Sequence, residues 1–146
     1  MWNSMGRKTG VTELDRAISE LDSLQLSVLI RKGEQVVFTS REPMLRPLLK
    51  AIDQLGPALR GATVVDRIVG KAAALLCAYA GVGEVLTPLA SEPAIDLLTA
   101  RGIPVSARRI VPYIRNRDGT DMCPMERLAL AYDDPGEFLA ALKDRT

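Results

Sequence analysis

The chain predicts a single α/β domain, a three-layer α/β/α sandwich around a mixed sheet of about five strands. Three observations carry this. The 146 residues match one domain of roughly 150. Strand-like runs (LQLSVLI, QVVFTS, EVLTPLA, VSARRIV) interleave with segments of helical apolar spacing, the pattern of helices covering a sheet. Apolar residues make up 47% and charged residues 25%, enough to fill one core.

Residues 1–10 read as a loose tail and 11–146 as the domain. Val11, Leu14, Ile18 and Leu21 recur at helical spacing, with Thr12 and Asp15 as an N-terminal signal. LQLSVLI and QVVFTS flank Gly33, which can take the positive φ of a hairpin turn. Leu45, Leu48, Leu49, Ile52 and Leu55 form the stripe of a helix ended by Gly56-Pro57. Asp66 reads as the cap or first-turn acid of a buried helix running from Ile68 to Tyr79, with Gly81 after its end. EVLTPLA is a strand, and Ser91-Glu92-Pro93 then opens a helix closed by Gly102. VSARRIV is a further strand. A charged loop spans Pro112 to Pro124, LALAY reads as the last strand, and Asp134 starts the last helix. The hairpin is antiparallel; the strands separated by helices are parallel crossovers.

Composition excludes several functions. There is no histidine, which removes Ser-His and Cys-His nucleophile pairs and a histidine proton shuttle. A net charge of +1 and 4% aromatic residues argue against nucleic acid as a partner. No apolar run approaches the ~18 residues of a membrane span, and MWNSMGRKTG is no secretory signal; the expected location is the cytoplasm. Cys77 and Cys123 are expected as reduced thiols.

In such a sheet the pocket forms where strands end and helices begin, and free N–H groups at helix starts accept anions. With the Pro112–Pro124 loop above them, the candidates are Asp66, Lys71, Ser91, Glu92, Arg115, Asn116, Arg117, Cys123 and Glu126. Cys123, in MCPME, reads either as a nucleophilic thiolate helped by Arg115 or Arg117, or as a small hydrophobe at a turn. Cys77, in LLCAY, reads as core. Lys71 is either an anion ligand or a lysine at the helix rim. Gly70, in a helix interior, implies close packing. Asp66 and Glu92 are either an acid–base pair or helix caps. Five arginines and no acid lie between Arg101 and Arg117, either an anion site or a solvated face. Asn116 reads first as a turn residue and second as a ligand contact.

TVVDRIVGKAAALL, ASEPAIDLL and VPYIRNRDGTDMCPMERLAL together resemble a bacterial family, domain-of-unknown-function family 1893, over nearly the whole chain. The resemblance implies a cytidine deaminase-like fold. Zinc deaminases place a His or Cys with a Glu two residues on at one helix start, and PCxxC at a second. Here those places read VVDRIVGK and SEPAI, so the sequence implies no metal and no cofactor.

The expected function is binding of a nucleotide-like or other phosphorylated small molecule at the starts of the Asp66 and Ser91 helices. Lys71, Arg115 and Arg117 would meet the anion. The alternative is a non-catalytic, homo-oligomeric interaction module.

Overall fold

In the computed structural model, residues 12–145 are described; the expected tail over 1–10 lies outside them. Helix α1 (Glu13–Leu24) opens with Thr12, whose hydroxyl accepts from Asp15 N while the Asp15 carboxylate accepts from Thr12 N, a reciprocal cap worth about 1 kcal/mol. Strands β1 (Val28–Lys32) and β2 (Gln35–Ser40) form the expected antiparallel hairpin, with Gly33 at φ 62°. Helix α2 (Arg46–Leu55) runs into a 3-10 turn, Gly56–Leu59.

The centre of the chain departs from expectation. Asp66 starts no helix: it is the last residue of strand β3 (Thr63–Asp66). Ile68–Val69 is a second short strand, β4, and helix α3 (Lys71–Ala80) begins only after Gly70. β-Branched Val64, Val65, Ile68 and Val69 favour the pleated sheet, and this overrides the helix-start reading of Asp66. Gly70 is therefore the extended N-cap of α3, not an interior helix residue.

Strand β5 (Glu84–Ser91), helix α4 (Glu92–Ala100) and strand β6 (Val105–Val111) follow as expected. LALAY is not a strand. It forms the end of helix α5 (Pro124–Ala129) and the turn after it. Alanine between leucines carries no inside–outside information, and Pro124 at the first helical position pre-sets the backbone for a helix. Helix α6 (Pro135–Asp144) closes the chain, with the Asp134 carboxylate accepting from Glu137 N.

The sheet order is β2-β1-β3-β5-β6. β3 and β4 both pair with β5 in parallel, opposite the edge that β6 takes. Val65 opposes Leu86 and Ile68 opposes Leu89, so β3 and β4 share one register and are a single strand broken at Arg67. The count of six described strands, against about five expected, comes from gaining these two short strands, which were not among the expected ones, and losing LALAY to a helix end and turn.

Alternation along the strands builds three layers. Leu29, Val65 and Leu86 point to one face, where Ala17 and Leu21 of α1 cover them. Val28, Ile30, Val64 and Val85 point to the other, under α2, α3 and α4, with Phe138 and Leu142 of α6 completing that core.

Candidate functional site

A cavity of about 590 Å³ opens at the carboxyl end of β3. Asp66 lies on its floor. Ser27, just before β1, and Met44-Leu45, just before α2, form one wall. The loop after β6 and the start of α5 form the other, with Ile114 to Asp118 and Cys123 to Glu126.

That second wall is a tight hairpin-like loop. Cys123 N donates to Ile114 O at 2.9 Å and Asn116 N to Asp121 O at 2.7 Å. The Asn116 side-chain oxygen accepts from Thr120 N at 3.1 Å and Asp121 N at 3.4 Å, and Gly119 turns at φ 73°. Asn116 thus shapes the loop, the first of its two readings. The Asp121 carboxyl is held below its usual range by the Met122 N–H and the Arg127 guanidinium.

Glu126 fastens this loop to the fold. Its carboxylate accepts from Lys71 N at 2.6 Å and Ala72 N at 3.2 Å, so an acid 55 residues downstream caps α3. The approach requires Gly70, because a Cβ there would overlap the Glu126 carboxyl. Burial raises the Glu126 pKa, opposed by the Ala72 and Lys71 N–H groups.

Asp66 is 7% exposed. Burial pushes its pKa up to about 7, opposed by the backbone N–H groups of Ile68 and Arg67. Ile68 N stands 3.5 Å from Oδ1. The nearby cations are committed elsewhere. Arg67 donates to Leu26 O (2.6 Å), Leu21 O (3.0 Å) and Asp22 (2.7 Å), tying down the end of α1. Lys71 Nζ bonds Asp133 at 3.0 Å, outside the cleft. Arg115 donates to Gly119 O at 3.3 Å and lies over the Tyr113 ring. Exposed Arg117 has no hydrogen bond or ion pair among the described residues.

The cleft therefore gathers Asp66, Arg115, Asn116, Arg117, Cys123 and Glu126. Lys71 contributes a backbone N–H to the Glu126 cap and not its ammonium. Ser91 and Glu92 lie away from it. Ser91 is a buried N-cap whose Oγ accepts from Ala94 N at 3.2 Å, and Glu92 is exposed in the first turn of α4. The Asp66–Glu92 pair is not assembled. Nor are the helix starts open to an anion as expected, since Glu126 occupies that of α3 and Ser91 that of α4. Cys123 is half-buried and free; Cys77 is buried, its thiol pKa raised by burial and by nearby Asp66.

Met44, Leu45, Ile68 and Met125 give the cleft apolar walls that sequence reasoning missed. Met44 carries the one usable signal, a large apolar residue between Pro43 and Pro47; it is 63% exposed at φ 61°. No three His, Cys, Asp or Glu side chains among the described residues group to hold a metal ion, and no helix among them is long and apolar enough to cross a membrane.

A family described as a domain of unknown function (DUF1893) matches residues 16–146. The crystal structure of a DUF1893 family protein from Thermotoga maritima is similar over 100% of both chains, with 27% identity and a TM-score of 0.83. Acinetobacter baumannii RibD matches 66% of this chain and 36% of its own at 16% identity, with a TM-score of 0.49, too remote to bear on chemistry. No curated protein matches.

Proposed function

We propose, from the premise that the chain belongs to the DUF1893 family of unknown function, that the cleft beside Asp66 binds a small phosphorylated or nucleotide-like molecule. The carrying observation is the cavity of about 590 Å³ lined by Arg117, which has no partner among the described residues, and by the neighbouring Arg115. A guanidinium pair is suited to phosphate, and apolar walls of this kind bury a ligand's body. The anion contact moves from the expected helix starts to the loop, because the helix starts are capped from within. Cys123, on the same wall, is the candidate nucleophile should the bound molecule react. A cytoplasmic location accords with two free cysteines.

Thermal shift against nucleotides and sugar phosphates tests this. A ligand at ten times its Kd adds about 1.4 kcal/mol, a rise of roughly 3–6 °C for a chain of this size. Arg117→Ala should remove it. No shift at millimolar concentration with any compound would sink the reading.

A second reading, a homo-oligomeric interaction module, is favoured by the outer edge of β6, which no described strand pairs and where Ile110 is 54% exposed. Such an edge can pair with another chain. Light scattering after gel filtration decides it: a monomer at all concentrations removes this reading.

A further inference from the structure

Among the described residues, the carboxyl of Asp66 is buried without a cationic partner. It ends β3 at the floor of the cleft and accepts only from neighbouring backbone N–H groups, Ile68 N at a long 3.5 Å. The cations nearest it are engaged: Arg67 holds the end of α1, Lys71 pairs with Asp133, and Arg115 lies over Tyr113. A buried carboxylate is costly unless a cation or several donors meet it. Among the described residues there is no cationic partner and only two backbone donors, Ile68 N and Arg67 N, yet open space lies against this group. At the loop wall the situation reverses: Arg117 is a cation without an anion among the described residues. Both groups line one cavity, together with the apolar Met44, Leu45, Ile68 and Met125.

We infer that the cleft takes a bipolar ligand, whose basic nitrogen (an amine or amidine) is received by Asp66 while its anionic group meets Arg117. This rests on the ligand-binding reading above and adds the chemistry of the inner end. The elevated pKa of Asp66 accords with a carboxyl that ionises fully only when the cation arrives. The other ionisable groups around it are Cys77 on α3, Arg67 beside it, and Arg115, Arg117, Asp118, Cys123 and Glu126 on the loop and α5 side of the same cleft.

The test uses the full chain and two probes of equal shape, 4-amidinobenzoate and 4-carbamoylbenzoate. Both carry the anion; only the first carries a cation. Calorimetry at pH 7.5 should show the amidine binding at least tenfold tighter to the wild type. In Asp66→Asn the ratio should fall to within about twofold. Equal binding to the wild type, a ratio that survives Asp66→Asn, or no binding of either probe overturns the inference. Should Asp66→Asn not fold, wild-type titrations at pH 6 in two buffers of different ionisation enthalpy serve instead. Release of about one proton per amidine bound supports the inference, and no release overturns it. Arg117→Ala separates the two levels: equal weakening of both probes supports the anion contact even where the amidine preference fails.

Discussion

Replacing Asp66 by asparagine should change how stability depends on pH. Unfolded, the carboxyl titrates near 3.8; folded, its pKa is about 7. Between those values the native chain holds more protons than the unfolded chain. The contribution of Asp66 to stability is therefore greatest below about pH 4, falls as pH rises toward 7, and levels off above it. A carboxyl raised from 3.8 to about 7 contributes about 4 kcal/mol over the full range, and about 3 kcal/mol between pH 5 and pH 8. That is an upper bound, because water entering the cleft relieves part of the burial. Asparagine keeps the shape and never ionises, so Asp66→Asn lacks this slope. Glu126, also raised, has the same sign but is present in both proteins and cancels in the difference. Urea unfolding at pH 5, 6, 7 and 8 measures it. The variant should gain on the wild type by up to about 3 kcal/mol from pH 5 to pH 8, roughly 1–2 M in midpoint at a typical slope. A difference constant to within about 0.5 kcal/mol would refute the account of Asp66 as a carboxyl pushed up by burial.

Three further outcomes follow from the same geometry. Gly70→Ala should expel the Glu126 carboxylate from the start of α3, costing about 2–4 kcal/mol and opening the 112–124 loop to limited proteolysis; unchanged urea midpoint and cleavage would contradict it. Thiol titration of the folded protein should label half-buried Cys123 and spare buried Cys77, which reacts only in denaturant; two reactive thiols in the native protein would mean α3 is mispositioned. Lys71→Ala should leave ligand-induced thermal shifts intact and cost at most about 1 kcal/mol, since Asp133 is almost fully exposed; loss of ligand response would return the Lys71 ammonium to the cleft.

What the sequence revealed follows from where its signals are local. Thr12, Gly33, Ser91 and Asp134 carry their caps or turns within a few residues, and each of these features is present. The parallel crossovers also followed, because helices separate the strands. The centre was harder. In Ile68 to Tyr79 the apolar residues run without a period, so nothing local marks the change from strand to helix, and Gly70, which does mark it, resembles an interior glycine. The same lack of contrast disguised LALAY. For the cleft, the sequence found the residues of the charged loop together with Asp66, since polar groups amid apolar runs stand out. It could not find Ser27 or Ile68, which become neighbours only through the sheet order. It also put Lys71, Ser91 and Glu92 in the cleft because they border helix starts, where no local pattern says that distant Glu126 already fills the first.

The Glu126 cap has a consequence for synthesis. When α3 leaves the ribosome its first turn lacks an acceptor, and the acceptor is 55 residues away. At the usual pace of translation, roughly 5–20 residues per second, the helix waits several seconds for it. A nascent chain halted before α5 would hold all six described strands and still lack a finished cleft. Completion of the cleft is thus tied to the arrival of the C-terminal quarter, which supplies Ile114 to Asp118 and Cys123 to Glu126 of its lining.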